Sequence, residues 1–363
     1  MTEAIAEPLQ VAELRLRGFR NLEPLLLTPG PRFNVLSGEN GQGKSNVLEG
    51  IRYASALDSF RGANTDDLIQ AGQDRAELSI LTNTHPLAHR LEVRLSRGQA
   101  RSPTLDGKRP RSTLGWLGVL PTVLFHPGDL SLAQGSPEGR RTLLDRILTE
   151  MDPSYGVTLR DYLKALRSRN RLLKMEDVDR RAVTAFDPLL SSLGAQIISS
   201  RDRVLGFLSA PAHVAFARIA GEDVPLKIRY RPRVATNLLE ALKGSLEKDL
   251  ARGFTGEGPH GDDIELGVKS GSAKQHASQG QQRVLVLALR IAELTVLRER
   301  TGRIPVLLLD DVSSELDRLR TARFFELLGE LGGQVFLTTT RAELIQVEGN
   351  RVDWTVCAGR VSG

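Results

Sequence analysis

A glycine-rich segment near the start of the chain constrains the fold more than any other feature. Residues 38 to 45 read GENGQGKS and match the pattern G-x-x-x-x-G-K-[ST] at every fixed position. The apolar segment RFNVL precedes them, and a helix-like segment follows. A loop between a strand and a helix can hold phosphate groups on its backbone N–H groups, at the positive end of the helix. The sequence therefore predicts an α/β protein that binds a nucleotide.

Within this loop, the sequence assigns chemical roles to two side chains. Lys44 is expected to reach the β- and γ-phosphates as a catalytic group, and Ser45 to give its hydroxyl to Mg²⁺. A glycine-rich turn with an incidental lysine is the alternative, and the complete pattern in its proper setting disfavours it. The predicted nucleotide-binding residues here are Gly38, Glu39, Asn40, Gly41, Gln42, Gly43, Lys44 and Ser45.

An acidic pair follows a buried-strand candidate far along the chain. The segment VLLLDD ends in Asp310 and Asp311. Asp310 is predicted to hold the magnesium shell, and Asp311 to position the attacking water as a catalytic residue. Capping of a helix that starts at Ser313 or Ser314 is a second interpretation, compatible with the first. The long interval between this pair and the glycine-rich loop indicates a large insertion within one nucleotide-binding fold.

A second helix start has the composition of a phosphate site. The segment HASQGQQR, residues 276 to 283, stands before an apolar helix candidate and contains Ser278, Gly280 and Gln281. Because the first loop already serves the phosphates of its own chain, this helix end suits the nucleotide of a second subunit. An ATP-dependent homodimer is the resulting hypothesis, and a simple Ser/Gln helix cap is the alternative.

Composition narrows the classes of protein that remain. The chain has 363 residues, 40% of them hydrophobic, with a formal net charge of +5 that suits a polyanionic partner. One cysteine excludes an intrachain disulfide or a cysteine-based zinc site and suits a reducing cytoplasm. The sequence has no run of 18 apolar residues and no secretory leader. We therefore expect a cytoplasmic protein with no membrane association.

The periodicity of apolar residues changes along the chain. Alternating segments at residues 9–19 and 90–97 predict strands, whereas leucines spaced by three, four and seven from about residue 137 predict helices. Strand candidates return at 225–232, 263–268, 305–311 and 334–340. We predict a first head lobe at 1–125, an inserted, mostly helical arm at 126–250 and a second head lobe at 251–363.

The order of these motifs resembles a known family. The chain combines the glycine-rich loop, a helical insertion, ASQGQ and LLLDDVSSELD with the segments GFRNL and GPHGDD. Together they resemble the ABC-type ATPase heads of the structural-maintenance-of-chromosomes group, and most closely the RecF family of recombination-repair proteins. The resemblance covers nearly the whole chain and implies a P-loop ABC-ATPase head with a compact helical arm.

This resemblance also implies ligands and partners. ATP and Mg²⁺ are the implied cofactors, with Ser278, Gly280 and Gln281 contacting the γ-phosphate held by the opposite subunit. Residues 314–317 look like the loop that crosses the dimer interface. DNA is the implied substrate, at single-strand gaps, with RecO and RecR as partner proteins. Nothing in composition or spacing indicates these two partners.

Three departures from the general ABC pattern bear on activity. Gln279 stands where a glycine is usual, Asp311 replaces the usual glutamate, and the segment VFLTTT has threonines, Thr338 to Thr340, but no switch histidine. Because aspartate is one methylene shorter than glutamate, we expect slow hydrolysis and a long-lived ATP-bound state. The chain is then a slow ATPase, stimulated by DNA, that acts as a switch.

Two basic segments are candidates for DNA contact. The helix candidate at 159–174 carries six Lys/Arg and one acid, and the segment 90–111 carries seven Lys/Arg. Few aromatic residues accompany them, so contacts to duplex backbone or a junction are favoured over stacking on single strands. An ordinary solvated charged face is the alternative. The predicted DNA-binding residues are Arg167, Arg169, Arg171 and Lys174.

Rival functions make different demands on the sequence. A transporter-coupled or purely structural ABC ATPase head would have no role on DNA, and the helical insertion is unlike that of a transporter. A GTPase would carry an N-K-x-D motif, which does not occur. A nuclease with such a head would need a metal-binding domain after the segment LTTT. The sequence therefore favours the hypothesis that the chain is an ATP-dependent DNA-binding clamp in recombinational repair.

Overall fold

The computed structural model describes residues 7–83, 87–269, 271–312, 316–347 and 349–363. Its strands are β1 (Glu7–Pro8), β2 (Val11–Arg17), β3 (Leu25–Leu27), β4 (Phe33–Ser37), β5 (Arg75–Thr82), β6 (Arg90–Ser96), β7 (Ser102–Leu105), β8 (Thr122–Phe125), β9 (Leu226–Arg231), β10 (Asp263–Val268), β11 (Gly271–Ser272), β12 (Arg303–Ile304), β13 (Val306–Leu309), β14 (Val335–Thr339), β15 (Arg351–Cys357) and β16 (Arg360–Ser362).

The helices are α1 (Lys44–Ala56), α2 (Thr65–Leu68), α3 (Thr113–Leu117), α4 (Ser131–Gln134), α5 (Pro137–Met151), α6 (Pro153–Leu172), α7 (Arg180–Thr184), α8 (Asp187–Ala220), α9 (Leu238–Arg252), α10 (Ala273–His276), α11 (Gln279–Thr301) and α12 (Arg318–Leu331). Short 3₁₀ turns lie at Pro127–Leu130, Pro259–Gly261 and Ala342–Leu344. No described helix is both long enough and apolar enough to span a membrane.

The chain forms two compact units. The head unit contains residues up to 129 together with 211–223 and 279–363, and the arm unit contains 130–210 and 224–278. These limits differ from the predicted arm at 126–250. The strands that return at 226 and 263 do not rejoin the head, because β9 pairs with β10 in an antiparallel sheet of the arm unit itself. The end of α8, from Pro211, is assigned to the head unit.

The central sheet of the head unit brings several strand ends to one edge. Its order is β16-β15-β4-β14-β13-β8, and all neighbouring pairs are parallel except β15 with β16. Every residue of β8, β13 and β14 is buried, as expected for apolar strands covered on both faces. Because β4, β14 and β13 are adjacent and parallel, the residues that follow them lie side by side.

A second sheet of the head unit is antiparallel, with the order β3-β2-β5-β6-β7. Along β5, buried and more accessible residues alternate, as the period of a sheet covered on one face requires. Leu14 and Leu16 of β2 belong to the same apolar core as Val47 and Ile51 of α1. This core holds α1, and with it the loop that precedes α1.

The arm unit is built around buried ion pairs. Arg169 of α6 is completely buried and pairs with Asp187 at 3.0 Å and with Asp249 at 2.7 Å. Arg201 of α8 pairs with Asp145 at 2.8 Å and lies 3.7 Å from Asp262. Each guanidinium thus meets two carboxylates, so the helices α5, α6, α8 and α9 are connected by ion pairs.

Candidate functional site

The glycine-rich loop runs from the end of β4 at Ser37 to the start of α1 at Lys44. Gly38 has φ of 152°, and a Cβ there would lie 2.2 Å from the carbonyl oxygen of Val356. Gly43 has φ of 113° and directly precedes the helix, whose first turn contains no acidic residue. The positive end of α1 is therefore open to an anion, and side chains at these two glycines would distort the loop.

Lys44 is folded back onto its own loop. Its Nζ donates hydrogen bonds to the carbonyl oxygens of Gly38 and Glu39, both at 2.7 Å. Burial lowers the pKa of this ammonium, and the nearby carboxylates of Asp311 and Asp310 partly offset that effect. The two carbonyls hold the cation at a place from which it can turn to a phosphate.

Thr338 connects the two aspartates of the acidic pair. Asp310 is buried after β13, and its Oδ1 accepts a hydrogen bond from the Thr338 hydroxyl at 2.8 Å. The same hydroxyl oxygen accepts the backbone N–H of Asp311 at 3.0 Å. Asp311 has a positive φ of 53°, an unfavourable conformation for a non-glycine residue. One threonine on the neighbouring strand therefore fixes both acids.

These groups meet in one cavity of about 260 Å³. That volume is below the roughly 300–1,000 Å³ of pockets that enclose whole small molecules, so it suits a phosphate chain with its metal ion. Its lining contains six of the predicted residues and three that the sequence did not indicate as ligands. The lining residues are Asn40, Gly41, Gly43, Lys44, Ser45, Asn46, Arg61, Asp311 and Thr338.

Arg61 is a site residue that the sequence analysis missed. Its guanidinium donates to Asn46 Oδ1 at 2.6 Å, lies 3.5 Å from the buried carboxylate of Glu49 and stacks 5.5 Å from the Phe60 ring centroid. No local pattern distinguishes this arginine from the others in the chain. It adds a second cation beside Lys44.

Four other predicted residues contribute to the site without lining the cavity, and one of them is Asp310, which is held by Thr338. Gly38 and Glu39 supply the carbonyl oxygens that hold Lys44. Gln42 faces the turn between β15 and β16, where its carbonyl oxygen accepts the N–H of Gly359 at 2.9 Å and its side-chain oxygen accepts the N–H of Ala358. Gln42 therefore fixes the loop to the C-terminal hairpin.

The second predicted phosphate segment lies at the start of α11. Ser278 is exposed and precedes the helix directly, and Gly280 and Gln281 are in its first turn. Gly280 and Gln281 do not line the cavity of the head unit. Of the predicted interface loop, residues 314 and 315 lie outside the described residues. Asp317 caps α12 by accepting the N–H of Arg320 at 3.0 Å.

The basic residues of α6 divide between two faces. Tyr162, Leu166 and Arg169 lie on the buried face, three or four residues apart. The prediction that Arg169 contacts DNA is therefore wrong, because its charge is neutralised inside the arm unit. Three exposed cations lie on the opposite face and a fourth, Lys174, follows the end of the helix, and within the described residues none of the four forms an ion pair. This basic stripe consists of Lys164, Arg167, Arg171 and Lys174.

The other basic segment, residues 90–111, is largely engaged within the protein. Arg90 donates to Glu13 and Ser79, and Arg97 donates to the backbone carbonyl of Gln73 at 2.8 Å. Arg101 donates to the carbonyl of Leu57. Fewer charges are left for a partner here than the sequence count indicated.

Known proteins resemble this chain over nearly its full length. Residues 10–357 match the family model of the RecF/RecN/SMC N-terminal domain. The DNA replication and repair protein RecF of Myxococcus xanthus is 36% identical, over 93% of this chain and 92% of its own. RecF of Geotalea uraniireducens is 32% identical, over 97% of this chain and 100% of its own. The chain belongs to the RecF family.

Solved structures agree with this membership. The recombination mediator protein RecF-ATP of the RecFOR pathway is 31% identical, covers 98% of this chain and 99% of its own, and superposes with a TM-score of 0.89. The Smc head domain of Pyrococcus furiosus, 18% identical with a TM-score of 0.60 over 97% of this chain, shares the fold. The predicted RecF resemblance and the ATPase-head fold are thus confirmed.

Proposed function

We propose that this chain is an ATP-dependent DNA-binding clamp of recombinational repair, which closes as a homodimer around ATP. The observation that carries the proposal is the convergence of Lys44, Ser45, Asp311 and Arg61 on one cavity at the strand ends. It is supported by the RecF relatives, which are named for DNA replication and repair and whose solved form includes RecF-ATP.

The residues present fit a triphosphate with its metal ion. Two cations, Lys44 and Arg61, and the N-terminus of α1 supply positive charge to the cavity. Ser45, in the first turn of α1, and Asp310, bonded to Thr338, would hold Mg²⁺, which favours hydroxyl and carboxylate oxygens. Asp311, fixed by Thr338, would orient the attacking water, with slow turnover as the expected result of its short side chain.

The cavity is too small to enclose a whole nucleotide, which supports a site completed by a second chain. Ser278 is exposed at the start of α11, together with Gly280 and Gln281 in the first turn. In the proposed dimer these three residues contact the γ-phosphate held by the other subunit. A dimer that forms only when ATP is bound then acts as an ATP-dependent switch on DNA.

DNA is proposed to lie along the basic stripe of the arm unit. Lys164 and Arg171 are separated by seven residues of α6, about 10 Å along the helix, and Lys174 follows after the helix ends. Four exposed cations with no ion pair in the part of the chain that the structure describes suit the phosphates of a duplex, which follow one another about every 3.4 Å along each strand. The RecFOR pathway of the solved relative makes RecO and RecR the proposed partner proteins.

Sedimentation with a non-hydrolysable ATP analogue, with and without duplex DNA, tests the proposal. The unaltered protein is expected to dimerise only with the analogue, and more readily when DNA is present. Lys44→Met should lose both nucleotide binding and dimerisation, because it removes the mobile cation of the loop. Ser278→Arg should keep nucleotide binding by the monomer and lose dimerisation. Dimers of Ser278→Arg as tight as those of the unaltered protein would refute the two-chain site.

A further inference from the structure

Among the phenylalanine, tyrosine and tryptophan side chains of the described residues, only that of Phe254 is exposed. The 11 phenylalanines, four tyrosines and two tryptophans all fall within the described ranges, and only Phe254 is classed as exposed, at 48%. A single exposed apolar side chain needs no functional explanation by itself. Phe254, however, lies beside the basic stripe, on a loop that is fixed by hydrogen bonds.

The loop that carries Phe254 lies against the last member of the basic stripe. Gly253, which follows α9, lies so near the turn after α6 that a Cβ on it would be 3.7 Å from Cγ of Lys174. Phe254 is the next residue after this contact. Met175, 55% exposed, follows Lys174 on the other side of it. Exposed apolar surface and the end of a row of cations are therefore adjacent in the arm unit.

Hydrogen bonds fix this loop on both sides of Phe254. The N–H of Gly253 donates to the carbonyl of Asp249 at 2.8 Å. Thr255 is buried, and its N–H donates to Asn170 Oδ1 at 2.8 Å. Arg169 donates to the Thr255 hydroxyl at 2.8 Å. The backbone of Phe254 is thus set before any ligand arrives, which reduces the entropy lost on binding.

We propose that Phe254 stacks on the first unpaired base at a junction between duplex and single-stranded DNA. The inference rests on the proposed function, in which the duplex lies along the basic stripe. Proteins that bind single strands along their length use several aromatic residues for successive bases. One aromatic at the end of a stripe of cations instead fits one exposed base beside a duplex. The ligand is therefore a gapped or tailed duplex.

This assignment gives Arg169 a different role from the one that its sequence suggested. Its guanidinium bonds both the Thr255 hydroxyl and Asp249, whose other oxygen accepts the N–H of Gly256 at 2.9 Å. Arg169 therefore acts on DNA only through the loop, as a positioning residue. Its neighbours on the exposed face, Arg167 and Arg171, are the residues that meet phosphates.

The test compares two DNA ligands, a blunt duplex and the same duplex with a single-stranded gap that carries 2-aminopurine at its first unpaired position. Stacking of one base on an aromatic side chain contributes about 1–3 kcal/mol, so the unaltered protein should bind the gapped DNA at least about fivefold more tightly. It should also quench the 2-aminopurine fluorescence. Phe254→Ala should lose the preference and the quenching while its affinity for the blunt duplex stays unchanged. Phe254→Trp should keep both.

Two further variants separate the failure of this inference from that of the proposed function. Leu189→Ala removes an equally exposed apolar side chain of the arm unit, 49% accessible, and should leave the preference intact. Arg167→Ala/Arg171→Ala/Lys174→Ala should weaken both ligands and lower the slope of log affinity against log salt by about 0.9 for each lost phosphate contact.

A matched variant, Arg203→Ala/Arg229→Ala/Lys248→Ala, removes the same charge from other exposed positions of the arm unit and should retain binding. If the unaltered protein binds no DNA, or the stripe variant binds as tightly as the matched one, the proposed function fails and the inference fails with it. If DNA binding depends on the stripe but Phe254→Ala keeps the preference for gapped DNA, only the stacking assignment is overturned.

Discussion

The two units bury positive charge in different ways. In the arm unit, the completely buried Arg169 meets two carboxylates and a hydroxyl. In the head unit, the buried ammonium of Lys44 donates to two backbone carbonyls of its own loop, and burial lowers its pKa. The arginine has permanent partners of opposite charge, whereas the lysine holds groups that it can exchange for a ligand.

This difference separates charge that stabilises the fold from charge that is held ready for binding. A completely buried guanidinium beside two carboxylates has its charge balanced already and is not accessible to a new anion. An ammonium on neutral carbonyls can turn to a phosphate oxygen, since the carbonyls bind it less strongly than an anion would. The comparison therefore predicts that loss of Arg169 damages stability, and that changes near Lys44 damage stability less.

The largest expected effect follows removal of Arg169. Arg169→Met leaves Asp187 and Asp249 buried without their cation, so we expect the free energy of unfolding to fall by about 3–5 kcal/mol. Burial already raises the pKa of Asp187 even with the guanidinium present. Urea denaturation at pH 7 measures the loss.

Arg167→Met on the exposed face of the same helix is the matched control. Because Arg167 forms no ion pair among the described residues, its substitution should change the free energy of unfolding by less than about 0.5 kcal/mol. Equal losses for Arg167→Met and Arg169→Met would contradict the distinction between the two faces of α6.

A smaller effect is expected at Thr338, the residue that fixes the acidic pair. Thr338→Val keeps the shape of the side chain and removes the hydroxyl that donates to Asp310 and accepts from Asp311. We expect a loss of about 1–3 kcal/mol in unfolding free energy, the usual cost of a buried polar group left without its partner. ATP turnover should also slow, because Asp311 loses the contact that sets its backbone.

Thr338→Ser is the control, since it retains the hydroxyl and should recover most of both losses. Calorimetry and a steady-state ATPase assay on the three proteins make the comparison. Stability and turnover of Thr338→Val equal to those of the unaltered protein would show that the hydroxyl fixes neither acid.

Local patterns were sufficient to predict much of this molecule. The strand at 263–268 has the predicted limits, and the glycine-rich loop, Lys44 and the strands before Asp310 lie where the pattern placed them. Such features depend on a few neighbouring residues, so their periodicity and turn chemistry carry enough information.

Features that depend on distant residues were missed. Arg61 is held at the cavity by its contacts with Asn46 and the Phe60 ring, and no short sequence pattern predicts these contacts. The sequence predicts that Arg169 contacts DNA because it shows the positive charge of this residue. It does not show that Asp187 and Asp249, on two other helices, neutralise that charge. The spacing of seven between Tyr162 and Arg169 is the one signal that could have placed Arg169 on the buried face.

The smallest expected effect concerns pH and the neutral histidine of the arm network. His260 lies between the hydroxyl of Tyr162, 2.7 Å from Nδ1, and the carbonyl oxygen of Thr255, 3.0 Å from Nε2. Since Nε2 must donate to the carbonyl, Nδ1 of the neutral ring accepts from the hydroxyl. Burial lowers the pKa of His260, against the opposing effect of Asp262.

The lowered pKa fixes the sign of the pH dependence. Below about pH 6.5 the unfolded chain binds a proton at this histidine, whereas the folded protein does not until the pH reaches the lower folded value. Stability should therefore fall as the pH decreases through this window, by up to about 1.4 kcal/mol per pH unit. His260→Gln should remove that part of the slope between pH 7.5 and 5.5, measured by urea denaturation at each pH. His276→Gln, at an exposed position of the same unit, should leave the slope unchanged. If the slopes of His260→Gln and the unaltered protein coincide, the buried ring is not a source of the pH dependence.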